Sequence, residues 1–282
     1  MTPYRAKHHA MATEFELTIA QEDIEGSYAA QAAAAVWEEI DRLELELSRF
    51  KAGSDVWRIN HSKKGESCPV GLATLDCLQL AKAVHAETNG AFDITVGPLM
   101  RVYRNDDGSQ RVPHHIEVDY ARERVGMEVF DVTEDGFVTV NVDEPVLDLG
   151  AVGKGYALDQ CVQVLNDYGV SHALLNAGDS SVLALGHSGD AEGWNVTVGN
   201  GAKKRLLLLK DRAISASGFA VKGAHIMNPR TKRPAPIKKK RIWAVAPTAA
   251  LSDALSTAFT IMSAEEIEAF CKRHCEVEAV LD

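Results

Sequence analysis

The chain has no surplus of positive charge: 30 Lys and Arg stand against 40 Asp and Glu, a formal net charge of -10. Nucleic acids and anionic lipid surfaces are gripped by basic patches, so this balance argues against either as a general partner. The exception, Lys238-Lys239-Lys240-Arg241, reads as a solvated strand edge or loop ahead of a strand that starts at Ile242. Cysteine is scarce and unpatterned. Cys68, Cys77, Cys161, Cys271 and Cys275 are odd in number and lack a CxxC spacing, which leaves no disulfide framework and makes them reduced thiols. Cys271 and Cys275, with His274 between them, read as C-terminal helix, because zinc would need a further ligand pair nearby. No run approaches the length of a membrane span, and MTPYRAKHHAMATEFELTI lacks the apolar core and cleavage site of a secretory signal. The expected address is cytoplasmic for the chain as written, and periplasmic or exported if a signal was removed ahead of this numbering. There is no fixed-period repeat and no low-complexity linker in the 282 residues, a length that suits one large domain or two small ones.

What is present is an ordinary globular composition with clustered elements. Glu14 to Ile19 alternate with period two, as a half-buried strand does. Helical spacing of Val36, Ile40, Leu43 and Leu47 predicts a helix over 27–47, and Leu75, Leu78 and Val84 predict another over 72–88 that stops at Asn89-Gly90. Gly97-Pro98 reads as a break, and residues 105–115 as an exposed loop. Short strands are expected near Val129, at 138–140, 146–149, 172–175, 182–185, 195–198, 205–209 and 242–245. A loop-rich stretch covers 215–236, and two helices close the chain. Clustered strands and clustered helices predict an α+β fold rather than regular βαβ alternation.

The most tightly specified stretch is VLDLGAVGKGYALDQCVQVLNDY, residues 146–168. It joins an apolar strand, a turn carrying Gly150, Gly153, Lys154 and Gly155, and a helix whose Leu158, Cys161, Val162 and Leu165 form one stripe. Backbone N–H groups at a helix start favour an anion. The spacing matches neither GxxxxGK[ST] nor GxGxxG, so a phosphate turn and a plain strand-to-helix connection both remain open. Asp253 and Thr257 lie four apart on one helix face. Their hard oxygens suit magnesium, although a first-turn aspartate with a back-bonding threonine is the plainer reading of the spacing. In HIMNPRT, His225 could take a proton at neutral pH and Arg230 could grip a phosphate, although a turn residue beside Asn-Pro is the plainer reading.

Taken in order along the chain, these pieces resemble the FAD:protein FMN transferase family, also called ApbE. The resemblance runs from Met11 to about Phe259. MATEFELTI is similar to the family's opening Met-Gly-Thr strand, and ELELSRFKAGSDVWRIN places Ser48, Ser54 and Asn60 at family positions. TNGAFDITVGPL and LDLGAVGKGYALD resemble two hallmark motifs, and LLNAGDS, SASG, HIMNPRT and SDALSTA follow in the family's order. The resemblance implies a T-fold-like architecture of mixed, mostly antiparallel sheets flanked by helices. It also implies one domain over residues 1–282, which could interleave two subdomains. The activity it implies is magnesium-dependent transfer of the FMN half of FAD to a Ser or Thr hydroxyl of an acceptor protein, with release of AMP. By the same resemblance, Gly153, Asp253 and Thr257 hold the metal, and His225 acts as base with Arg230 nearby. Asp93, Thr95, Lys154, Tyr156, Asp159, Asn176, Gly178, Ser217 and Gly218 bind the flavin nucleotide.

The sequence departs from the family pattern beside the expected nucleotide. A Gly-Gly-Asp becomes Gly178-Asp179-Ser180, a Thr-Ser-Gly becomes Ala216-Ser217-Gly218, His-x-x-Asp-Pro becomes His225-Ile226-Met227-Asn228-Pro229, and Lys232 replaces a glycine after Pro229-Arg230-Thr231. Two alternatives therefore stand beside transfer: a relative that binds or hydrolyses FAD without flavinylating a protein, and a non-catalytic interaction protein.

Overall fold

Seven strands of the chain lie side by side in sequence order, although up to about 150 residues separate neighbours. They are β1 (Tyr4–Ala10), β2 (Thr13–Ile19), β3 (Ala173–Ala177), β4 (Ser181–Leu185), β5 (Arg212–Ser217), β6 (Ile242–Ala246) and β7 (Glu278–Leu281). The computed structural model describes residues 3–105, 109–178, 180–199, 204–217, 226–236 and 241–281. Every pairing in this sheet is antiparallel. The same holds for the small sheets of 67–69, 130–132 and 137–140, of 194–198 and 205–209, and of 227–228 and 233–234. The α+β class is as expected, and among the described residues the sheets are antiparallel throughout rather than mixed.

The helices are α1 (Gly26–Leu47), α2 (Asp55–Asn60), α3 (Leu72–Glu87), α4 (Gly97–Val102), α5 (His115–Arg122), α6 (Gly153–Asp167), α7 (Ala249–Ile261) and α8 (Ala264–Arg273). Period-two alternation explains how the sheet is covered on both faces. Leu17, Leu175, Leu183, Ala213 and Ala244 face one way and join a continuous core with α1, α6 and α7. Ala184, Ile214, Trp243 and Val245 face the other way and pack under the hairpin of 194–198 and 205–209 through Trp194, Val198 and Leu209. Strand β6 is buried along its whole length for this reason. Each large apolar side chain fully buried in these layers contributes roughly 2 kcal/mol, so the sheet is a stiff floor for what stands on it.

Four expectations change. The pair Gly97-Pro98 opens α4 instead of breaking structure, since a proline in the first helical turn lacks only an N–H that has no helical partner. The end of the polar stretch at 105–115 leads into α5, whose N3 residue Glu117 accepts from the His114 N–H at 2.8 Å. Strand β5 lies partly inside the stretch read as loop, because its Ala213, Ile214, Ser215 and Ala216 are buried on both faces and show no alternation. Residues 146–149 pair with no strand among the described residues. Asn60 holds them instead: its Oδ1 accepts from Leu147 N at 2.7 Å and its Nδ2 donates to Leu147 O at 2.9 Å, while Asp148 N donates to Ile94 O at 2.8 Å.

A candidate active-site cavity

A cavity of about 780 Å³ opens at one end of the sheet, a volume that suits a ligand of nucleotide size. Its walls come from the β1–β2 turn, the loop after α1, residues 91–96, residues 148–154, and the ends of strands at Ser180 and Ser217; α7 forms its inner wall. Distant parts of the chain therefore meet here, and each is fixed by a local reason.

Asp93 reaches the cavity from the segment after α3 while only 8% of it is exposed. Its Oδ1 accepts from Thr95 N at 2.7 Å and from the Thr95 hydroxyl at 2.6 Å. Burial pushes this carboxyl above the ordinary carboxylate range, against the opposing pull of those two hydrogen bonds. His85 lies 3.9 Å from the other carboxylate oxygen, with its Nδ1 at 2.8 Å from the Phe92 carbonyl.

Gly153 starts α6, and its N–H donates to Leu149 O at 2.7 Å, which folds the 149–153 turn back against the cavity. From the same turn Lys154 donates to Gly150 O at 2.9 Å and stands 3.4 Å from Asp253 Oδ2. Asp253 is 4% exposed and faces the cavity from α7, with Thr257 one turn further along the same helix wall. Ser217 lines the cavity at the end of β5. Gly178 shapes the wall indirectly. Its φ of 60° suits glycine, and a methyl there would collide with the hydroxyl of Thr13, a cavity residue.

Other expected site residues are placed elsewhere. Thr95 is fully buried, and its hydroxyl is spent on Asp93 and on the Gly126 N–H, so it supports the Asp93 carboxylate without lining the cavity. Tyr156 donates its hydroxyl to Asp76 on α3 at 2.8 Å, away from the cavity lining. Asp159 accepts from Ala249 N at 2.7 Å and Ala250 N at 2.9 Å, which makes it a cap on the start of α7, away from the cavity lining. Burial raises the Asp159 carboxyl from 3.8 to about 6, although both N–H donors pull it down. Asn176 lies on β3 outside the lining, with its Oδ1 buried and without a hydrogen-bond partner among the described residues. Arg230 is consumed by structure. It donates to Thr88 O at 2.6 Å and Asn89 O at 2.9 Å, and pairs with Glu266 at 2.7 Å. His225, Gly218 and Asp179 lie outside the described residues, as do Lys238, Lys239 and Lys240.

One departure from the family pattern keeps a local structural role. Asn228 Oδ1 accepts from Arg230 N at 3.0 Å and Thr231 N at 3.2 Å. The turn needs an acceptor oxygen there, and an amide supplies it as a carboxylate would.

A model of the ApbE family matches residues 11–281. The chain belongs to this family. Among its relatives, the FAD:protein FMN transferase of Salmonella typhimurium is 26% identical over 270 residues, covering 89% of this chain and 76% of its own length. The FAD:protein FMN transferase of Klebsiella pneumoniae is 27% identical over 253 residues, covering 83% of this chain and 72% of its own. The structure of the flavin transferase ApbE from Vibrio cholerae superposes with a TM-score of 0.86 at 19% identity, over 99% of this chain and 93% of that one. The ApbE protein of Thermotoga maritima gives a TM-score of 0.83 at 25% identity, over 99% and 94%. The shared fold thus extends over the whole of the described chain.

Several cavity residues lie inside family-like stretches of sequence but are not among the expected site residues. Phe50 is 77% exposed at the cavity edge, beside Arg49, whose guanidinium lies 4.1 Å from the Phe50 ring centre. Arg49 Nε also lies 3.1 Å from Asp148 Oδ2. Asp148 was legible: it sits between buried Leu147 and Leu149, so in extended backbone it must point the opposite way. Met11 and Ala12 were not, because their place in the wall depends on a tight turn with φ of 49° and 57°.

Proposed function

We propose that this chain is an FAD:protein FMN transferase that moves the FMN half of FAD to a Ser or Thr hydroxyl of an acceptor protein and releases AMP. The observation that carries the reading is the convergence of Asp93, Gly153, Lys154, Ser217, Asp253 and Thr257, from four distant motifs, on one cavity of nucleotide size. In the reaction the acceptor oxygen attacks the phosphorus of the FMN half. The P–O bond to the bridging oxygen breaks, AMP departs with that oxygen, and the hydroxyl proton passes to a base, a role assigned to His225 by the family pattern.

The donor set fits magnesium. Asp253 presents a buried carboxylate and Thr257 a hydroxyl on the same wall, and the ammonium of Lys154 already stands between Asp253 and the Gly150 carbonyl. Among the described residues no three His, Cys, Asp or Glu side chains gather into a cage. Magnesium characteristically takes one or two carboxylates and completes its shell with water and substrate phosphates, so a single aspartate is a sufficient protein anchor. Asp253 and Thr257 would hold the ion, with a backbone carbonyl of the turn at Gly153. When bound it would supply charge neutralisation to the pyrophosphate.

The chain's own groups do the rest. Lys154 offers a positive charge at the start of α6, where orphan N–H groups also favour phosphate. Asp93, held by Thr95, presents an acceptor or, when protonated, a donor to the flavin ring edge. The apolar walls of Leu47, Leu149 and Ile261 limit water around the reacting phosphorus. Incubation of the purified protein with FAD, with and without Mg2+, followed by flavin fluorescence and AMP release, tests the reading. Asp253→Ala should abolish metal-dependent FAD cleavage by at least a hundredfold while the thermal unfolding transition remains cooperative. Absence of FAD binding to the parent protein would overturn it.

A further inference from the structure

We infer that Lys154 is a built-in counter-cation for Asp253, which competes with the divalent metal for that carboxylate and is released toward the substrate phosphates when the metal binds. The inference rests on the metal reading above and adds a residue that couples metal to nucleotide.

Three observations lead to it. The Asp253 side chain is 5% exposed, and a carboxylate so far from water needs a compensating charge. Lys154 is the basic residue in ion-pair contact with it among the described residues, at 3.4 Å, with its own side chain 18% exposed. The ammonium is also held from behind by Gly150 O at 2.9 Å, one turn back in the sequence, so the glycine turn aims the lysine at the carboxylate. The pair is loose for a salt bridge, a contact that can be exchanged.

Charge sets the two cations in competition for this carboxylate. Magnesium binds carboxylate oxygen at about 2.0–2.1 Å. An ion on Asp253 Oδ2 would then lie no further than about 5.5 Å from the Lys154 nitrogen, by adding that bond to the 3.4 Å contact. A dication and an ammonium at that separation in a half-buried site repel strongly, because little water screens them. Lys154 must leave Asp253, and the open direction is the cavity that both residues line. There the ammonium meets the dianionic pyrophosphate, for which a flexible point charge is well suited. Metal and dinucleotide therefore bind with positive coupling, each releasing the lysine for the other.

Mn2+ alone, titrated into the FAD-free protein and followed by the loss of the free-ion EPR signal, tests this without any turnover. Lys154→Met should bind Mn2+ at least tenfold more tightly than the parent, and Asp253→Asn should abolish the binding. Mn2+ should also raise the melting temperature of Lys154→Met by more than it raises that of the parent, because the metal restores the lost counter-charge. If Lys154→Met does not fold, Lys154→Gln serves for both measurements. Unchanged or weaker Mn2+ binding in the lysine variant, with binding still dependent on Asp253, would overturn the inference and leave the metal site standing. Mn2+ binding that survives Asp253→Asn, or no binding to any of these proteins, would remove the metal reading and the inference together.

Discussion

Asp159→Asn probes whether the α6–α7 junction is built as the geometry says. In the native protein this carboxylate caps Ala249 and Ala250, and burial lifts its pKa from 3.8 to about 6. A raised carboxyl pKa means that the folded protein binds a proton where the unfolded chain does not. Its contribution to stability therefore falls as pH rises from about 4 to about 6, and the loss is complete above that. Between about pH 7.5 and pH 5 the native group goes from ionised to about nine-tenths protonated, while the unfolded group stays ionised. The linkage is about one pH unit, roughly 1.4 kcal/mol of extra stability for the parent at the lower pH. The asparagine variant keeps one acceptor oxygen and loses the other, so it carries a pH-independent cost of about 1–3 kcal/mol for one orphaned N–H. Other titrating groups are common to both proteins. Urea unfolding followed by tryptophan fluorescence at the two pH values should therefore show the parent's advantage growing by roughly 1.4 kcal/mol on acidification. A constant difference, within about 0.5 kcal/mol, or one that shrinks on acidification, would refute the reasoning and mean that the helix N–H groups outweigh burial.

Arg230→Ala should cost about 2–3 kcal/mol in urea unfolding, since two carbonyls at the end of α3 and Glu266 all lose their donor. Arg230→Lys should recover less than half of it, because one ammonium cannot span three acceptors. An undiminished stability with lost FAD cleavage would instead return Arg230 to the reaction. Ala12→Gly should stabilise the protein by about 0.5–1 kcal/mol, because Ala12 holds a left-handed φ of 57° that a β-carbon disfavours. The urea midpoint reports it, and a fall in that midpoint would show that the methyl is needed by the wall it lines.

The long elements were legible because periodicity is local. α1, α3 and the closing helices follow their apolar stripes, and β2 follows its alternation. What escaped was structure defined by distant partners. β5 carries small residues buried on both faces, a pattern that looks like loop until β4 and β6 are beside it. Residues 146–149 read as strand because they are apolar, yet their backbone is satisfied by one asparagine side chain 87 residues away in sequence. Phe50 and Arg49 lie in a family-like stretch, yet nothing local marks them as wall residues, since a polar loop after a helix is ordinary until a cavity opens beside it.

The stretch 153–159 shows why a motif names a site more reliably than it assigns roles within it. A helix turns about 100° per residue, so relative to Lys154 the side chain of Gly155 points about 100° around, Tyr156 about 200° and Asp159 about 140°. Lys154 meets the cavity. Gly155 and Asp159 share a direction and meet α7, where a methyl on Gly155 would strike the Ala249 carbonyl and where Asp159 caps the first two N–H groups. Tyr156 turns further and meets Asp76 on α3. Three residues of the motif are therefore engaged with α3 and α7 rather than with the cavity. Close approach at Gly155 and the cap at Asp159 fix where α7 begins, and Asp253 lies four residues beyond Ala249 on that helix. A shift of α7 by one residue would rotate the carboxylate about 100° away from the cavity and from Lys154. The glycine and the aspartate thus set the position of Asp253 without touching it, and nothing in the sequence could have separated that task from nucleotide binding.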